Sequence, residues 1–333
     1  MTVGKDSGIL YLKVGKLMNR KSKMTKYTKK DFDRQFSTDA VCLEWLFRRF
    51  YPEGTVFCDK CQKETKHHRV VSRPSYSCDY CGHHVHPTAG TIFHKSSTPL
   101  TTWFYATYLM ASTRCGISAK QIERETGVTY KTAWRMFKQI RSMLNEDESG
   151  KLGGGRRKPQ VEVDEMYYGG RRKQGAGRRM GGDKKKTPVV GVVERKGRVR
   201  ALVADDVKAD TLIGIVREHV MPKSVVFTDE HPSYDRLGVR DYRHRRINHS
   251  EKVYVVGDTH TNTIEGFWSL VKNGLRGVYH NVGRHYLQSY LNEYGFRYNR
   301  RFDEQPMFVS FLNQIEKRDV VIRQSRPVLV EPF

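Results

Sequence analysis

Apolar positions fall at helical spacing soon after residue 38, where Val41, Leu43, Leu46 and Phe47 mark one face and Pro52 closes the segment. Leu100, Trp103, Phe104, Tyr108 and Leu109 repeat that spacing and predict a buried amphipathic helix over 99–112. Ser118, with Gln121 three positions on, reads as a capping box that opens the next helix. After residue 160 the pattern shortens to that of strands, over 161–168, 188–194, 198–204 and 225–229. A helical run at 208–220 precedes the fourth strand, and helices fill most of 261–299. Three strands, a helix, a strand and then helices predict a multidomain α/β chain whose later half is a mixed α/β unit.

Polar stretches divide this pattern. Residues 1–37 carry many Lys and few apolar residues and read as a basic arm, mobile or weakly helical. Residues 38–95 hold a helix and a cysteine-rich ribbon, 96–145 a helical DNA-binding unit, 146–159 a Gly-rich charged linker, 160–310 the mixed unit and 311–333 a C-terminal tail. The whole chain has 333 residues and a formal charge of +24, from 60 Lys and Arg against 36 Asp and Glu. Such an excess favours a polyanionic partner through phosphate neutralisation and counterion release, with nucleic acid the first candidate. With no long apolar run, signal segment or lipidation motif in the sequence, the expectation is a cytoplasmic, nucleoid-associated chain with no membrane partner.

Two motifs add chemistry. Cys58, Cys61, Cys78 and Cys81 follow C-x2-C-x16-C-x2-C, a spacing that lets two tight turns aim four thiolates at one structural Zn²⁺. Gly82 is suited to the positive φ that often follows such a turn, and His67, His68, His83, His84 and His86 read as exposed or phosphate-facing. Cys42 and Cys115 lie outside the motif and read as reduced thiols. In the second motif a helix opened by Ser118 stops at Gly127, and Thr129 caps another with Ala133, Trp134, Phe137 and Ile140 on its apolar face. That is a helix-turn-helix pattern, with Thr129, Tyr130, Lys131, Thr132 and Arg135 at the start that contacts DNA in the major groove.

Three carboxylates complete the picture: Asp164 and Asp229 close strand-like runs, and Glu265 stands at a helix start 36 positions after Asp229. Asn262 and Glu265 also fit a local capping pair, while Lys272 falls on the helix face of Glu265. Three hard oxygen ligands can hold two Mg²⁺ or Mn²⁺ ions for in-line phosphodiester displacement. The insert 169–186, with Arg171, Arg172, Lys173, Arg178 and Arg179, reads as a flexible hairpin loop able to follow a phosphate backbone. Residues 242–246 and 286–301 mix Tyr and Phe with Arg, a composition suited to backbone contact, and His249 is a further candidate for phosphate contact.

The spacing D…D-x35-E with a basic residue seven places later resembles the DDE transposases and integrases. The ribbon, the stretch Thr88–Phe104, and the motifs around Val163–Gly170 and His260–Trp268 resemble the zinc-ribbon branch of bacterial insertion-sequence transposases. This resemblance implies a ribonuclease H-like catalytic domain, an acidic triad of Asp164, Asp229 and Glu265, and Lys272 on transposon-end DNA. It also implies a homodimer or higher oligomer that pairs two ends of double-stranded DNA and joins them to a target. A DNA-binding regulator with an inactive nuclease-like domain and a structure-selective nuclease are the alternatives.

Overall fold

A computed structural model of the chain describes residues 25–145, 150–154, 160–169, 186–237, 242–247 and 261–317. Most of the predicted basic arm and the insert residues Arg171, Arg172, Lys173, Arg178 and Arg179 lie outside these, as does His249. The described end of the arm is a helix, α1 (Lys29–Gln35), opened by a reciprocal capping box between Thr28 and Asp31. Phe32 and Phe36 sit four positions apart, on one helical face, and both are buried. Two aromatic anchors are enough to seat an otherwise charged segment, which its composition alone does not reveal.

Helix α2 (Asp39–Phe50) starts at its N-cap Thr38, whose side chain accepts from the Val41 N–H. Four short strands follow, β1 (Thr55–Cys58), β2 (Lys63–Val70), β3 (Ser75–Cys78) and β4 (His84–Val85), paired antiparallel in chain order. This small sheet is fixed to α2 by Tyr76, whose ring stacks on Phe47 with centroids 3.7 Å apart. Helices α3 (Leu100–Ser112), α4 (Ala119–Thr126) and α5 (Tyr130–Ser142) then form a helical layer.

The second sheet holds β5 (Gln160–Tyr168), β6 (Thr187–Glu194), β7 (Val199–Val203), β8 (Val225–Thr228) and β9 (Arg243–Arg246), in the order β7-β6-β5-β8-β9. The first three pair antiparallel, while β8 runs parallel to β5 and β9 parallel to β8. Helix α6 (Ala209–His219) packs on one face; α7 (Asn262–Gly277) and α8 (Arg284–Asn299) pack on the other. The basic run at 243–246 is thus an edge strand. Charged side chains on an edge carry no apolar alternation and discourage pairing with another chain, so the segment reads as a surface patch until its partner strand is known.

The hydrophobic core does not divide at 146–159. One cluster runs from Phe32 through α2, α3, α4 and α5 into α7, α8 and the last helix, α9 (Met307–Leu312). Helix α9 falls where the tail was expected to begin, yet Phe308, Phe311, Leu312 and Ile315 are buried, and Phe308 meets Phe32 edge to face. A polar bolt crosses the same boundary. Glu293 of α8 is 0 % exposed and accepts from Arg141 Nε of α5 at 2.6 Å and from Arg297 Nη2 at 2.7 Å. Arg141 is held between the rings of Phe137 and Tyr290, each centred 3.5 Å from its guanidinium carbon. Among the described residues no helix is long and apolar enough to cross a membrane.

Candidate metal centres and nucleic-acid surface

The four cysteines converge. Cys58 ends β1 and Cys78 ends β3, so each strand delivers its first ligand directly into a turn that carries the second. In the first turn the Gln62 N–H returns to the Cys58 carbonyl at 2.7 Å, and in the second the Gly82 N–H returns to Cys78 at 3.0 Å. Both closing residues have positive φ, 52° at Gln62 and 70° at Gly82, so the same turn is built twice, once without glycine. The sulfurs of Cys58 and Cys81 are 3.6 Å apart, and those of Cys61 and Cys78 are 3.8 Å apart. Four thiolates at about 2.3 Å from one tetrahedral ion stand roughly 3.8 Å from each other, so the set fits such an ion.

Three histidines around this group make bonds within the ribbon. His67 is buried with Nδ1 3.1 Å from the Thr65 carbonyl, His84 meets Ser75 at 2.8 Å, and His68 meets Asp79 at 2.7 Å. His67 is buried, against the expectation of an exposed ring, whereas His68, His83 and His86 are exposed as expected. Cys42 is buried in the core, where burial pushes its thiol up to about 12, and Cys115 is exposed.

A second group forms where β8 ends beside the middle of β5, so Asp164 lies within its strand instead of closing it, while Asp229 directly follows β8. Asp164, Glu165 and Asp229 bring carboxylate oxygens within 4.8 Å of one another. Strand alternation explains how three acids meet here. Glu162, Asp164 and Met166 face α7 and its core, whereas Val161, Val163 and Glu165 face α6. Asp229 follows β8, whose Phe227 pairs with Glu162, so it stands beside the step between Asp164 and Glu165 and reaches both faces.

Each acid is held by a neutral donor. Trp268 Nε1 donates to Asp164 Oδ2 at 2.9 Å, Tyr234 Oη to Glu165 Oε2 at 3.0 Å, and the His231 backbone N–H to Asp229 Oδ1 at 3.0 Å. Burial and then the charges of Glu165 and Asp229 push the Asp164 carboxyl up to about 7, against the hydrogen bond from Trp268. Burial and Asp229 likewise raise Glu165, and burial beside Glu165 keeps Tyr234 well above its ordinary range. Like charges crowded in this way call for a cation, and carboxylate oxygens suit a hard divalent one.

Helix α7 is registered on this site at two points. Glu162, 0 % exposed, accepts from the Thr263 and Ile264 N–H groups at 2.9 and 3.0 Å, so a buried carboxylate occupies the positive end of the helix. It also pairs with Arg195 at 2.6 Å. One turn along, α7 lies so close to β6 that a Cβ on Gly191 would fall 2.4 Å from Trp268 Cζ2. Gly191 pairs with Asp164 across the two strands, so the missing side chain is what lets Trp268 reach the acid.

Glu265 stands outside the three-acid group. It is exposed on the first turn of α7 and accepts from Thr261 Oγ1 at 2.9 Å. Thr261, not Asn262, holds the N-cap position, with no side-chain cap bond, and Asn262 is the first helical residue, so the expected Asn262–Glu265 capping pair does not form. Lys272 is exposed further along α7. The acid that sequence reasoning missed is Glu165. Its one signal in the sequence is adjacency to Asp164, which strand alternation counts against, since neighbours on a strand point to opposite faces.

The helix pair α4 and α5 has the expected turn, with Gly127 left-handed at φ 69° and Thr129 capping α5. Ser118 caps α4, but Gln121 bonds Glu125 instead of returning to the cap, so only half of the capping box exists. Thr129, Tyr130, Lys131 and Arg135 are exposed and Thr132 is half-buried. Arg135 is tied back to Ser96 Oγ at 3.0 Å, which leaves the first turn of α5 as the freer surface.

Comparison with known proteins matches residues 151–299 to the family model of the ISXO2-like transposase domain. A transposase-like protein of Haemophilus influenzae is 34% identical over 126 residues, covering 38% of this chain and 99% of that protein. A protein in the transposable element ISH50 of Halobacterium salinarum is 27% identical over 260 residues, 73% of this chain and 85% of its own length. A chain of the pre-cleavage Mos1 transpososome has 12% identity over 58% of this chain and 74% of its own, at a TM-score of 0.21, too low to speak for a shared fold. The matched domain begins just before β5 and ends with α8, and so contains the three acids, their donors and Glu265; the chain belongs to the ISXO2-like transposase family.

Proposed function

We propose that this chain binds the terminal inverted repeats of a mobile DNA element, cuts the 3′ ends and joins them to target DNA. The observation that carries the reading is the meeting of Asp164, Glu165 and Asp229 on the central strand of a mixed sheet and at the end of its neighbour β8, beside a helix whose exposed face presents Glu265 and Lys272. The mixed sheet supports the ribonuclease H-like assignment made from the motifs. Asp164 and Asp229 form the proposed triad with Glu265 of the neighbouring helix α7, and Glu165, which already meets the two aspartates, is the rival for the third place. Two Mg²⁺ or Mn²⁺ ions bound there supply charge stabilisation for the attacking and leaving oxygens of an in-line displacement. Water and then the freed 3′-OH are the nucleophiles.

The remaining parts serve placement. The four-thiol ribbon holds Zn²⁺ as a structural ion, since a set of four protein ligands leaves no open position for chemistry. Thr129, Tyr130, Lys131 and Thr132 at the start of α5 read the DNA end, and Lys272 grips its backbone near the acids. Two or more protomers act together, because two ends must be joined in one event.

The test is a strand-transfer assay with pre-cut ends and Mg²⁺ or Mn²⁺. Asp164→Asn and Asp229→Asn are expected to lower joined product by about 10²-fold or more while end binding persists. Glu265→Gln and Glu165→Gln then tell which acid completes the triad. Joined product at the wild-type level in Asp164→Asn overturns the proposal, and cutting without joining assigns a nuclease instead.

A further inference from the structure

We propose that Tyr234 and Trp268 are the positioning residues of the acid group, each fixing one carboxylate so that its remaining oxygen is aimed at a shared divalent cation. The inference rests on the reading of Asp164, Glu165 and Asp229 as a cation site and adds how that site is held in shape.

The two donors come from opposite sides of the sheet. Tyr234 lies in the short 3-10 turn Pro232–Tyr234 after β8, is 0 % exposed, and belongs to the core beneath α6. Trp268 is 2 % exposed in the core beneath α7. Each spends its single polar hydrogen on one oxygen of one acid, at 3.0 Å for Glu165 and 2.9 Å for Asp164. A buried aromatic ring has few alternative rotamers, so its N–H or O–H is a fixed peg rather than a mobile one. Neutral donors suit the task. A Lys or Arg in the same place would neutralise the acid and compete with the cation, whereas an indole N–H or a phenol leaves the full negative charge available. Adjacent residues on a strand otherwise diverge, so Asp164 and Glu165 serve one ion only if both are turned toward Asp229.

The experiment is Mn²⁺ titration of the full-length protein by calorimetry, with binding to Asp164→Asn subtracted to remove other sites. Tyr234→Phe deletes one oxygen and keeps the ring. Trp268→Phe deletes the indole N–H. Tyr242→Phe is the control, a buried tyrosine of the same core whose hydroxyl donates to the carbonyls of Val216 and Val220. Tyr234→Phe and Trp268→Phe are expected to bind Mn²⁺ at least tenfold more weakly, the usual cost of losing a partner that orients a ligand, with Tyr242→Phe equal to wild type. Thermal unfolding of the cation-free proteins separates a loss of shape at the site from a loss of fold. If Tyr234→Phe binds within twofold of wild type, the positioning role is overturned while the cation site stands. If wild type binds no more Mn²⁺ than Asp164→Asn, the cation-site reading itself falls.

Discussion

Cys58 and Cys61 are three positions apart, as are Cys78 and Cys81, whereas Asp164 and Asp229 are 65 positions apart in the chain. The thiol group is assembled by two copies of one turn at the ends of β1 and β3, and it carries its geometry wherever the ribbon goes. The acid group has no local plan. It exists because β8 runs parallel to β5, because α7 is held on Glu162, and because Gly191 leaves room for Trp268. A site built by turns depends on its ligands. A site built by topology depends on residues that never touch the ion.

That contrast can be broken from either side. The largest effect is expected at the thiols: Cys58→Ser, or chelation of Zn²⁺, removes about 10 kcal/mol or more of metal-linked folding energy from a sheet with little core of its own. Hydrogen exchange should then show residues 55–85 losing protection while β5–β8 keep theirs. Loss of protection in both sheets would mean that the two regions are one cooperative unit.

An intermediate effect is expected at Glu162, which accepts from the first turn of α7. Glu162→Gln leaves Arg195 without its buried carboxylate and weakens the seat of α7, for about 3–5 kcal/mol of stability measured by denaturant unfolding. The first sign should be exposure of Trp268, read by its fluorescence. A variant as stable as wild type would show that α7 is held by its apolar face alone.

The smallest effect is expected from pH. The folded Asp164 carboxyl stands near 7, above its unfolded value of about 3.9, so its contribution to stability is full below pH ~4 and is lost as pH rises toward 7. Without divalent cations, Asp164→Asn should therefore gain on wild type in thermal stability between these limits and keep the gain at pH 8. Added Mg²⁺ should erase the difference for wild type. A constant offset at every pH would mean that crowding among the acids is relieved in another way.

The two sites also differ in how far they could be read in advance. The ribbon was legible because ligand identity and spacing are local facts, and the strands at 161–168 and 188–194 were legible because alternation in the first and a continuous apolar run in the second are local too. Strand β9 was not, since Arg243–Arg246 carries no apolar pattern and is defined only by its pairing with β8. For helix α1 the composition left a mobile arm and a weak helix both open, and the burial of Phe32 and Phe36 decides for the helix. Alternation points Glu165 away from Asp164, and only the place of Asp229 beside the sheet brings the two to one point.

Glu293, shared by Arg141 and Arg297, sits where the recognition-type helix meets the helix that backs the acid-bearing sheet. Because that contact is buried and ion-paired, α5 and α8 are the two jaws of a caliper whose opening is set by packed side chains. On the DNA-joining reading, the number of base pairs between the sequence that is read and the bond that is cut is a length the protein measures.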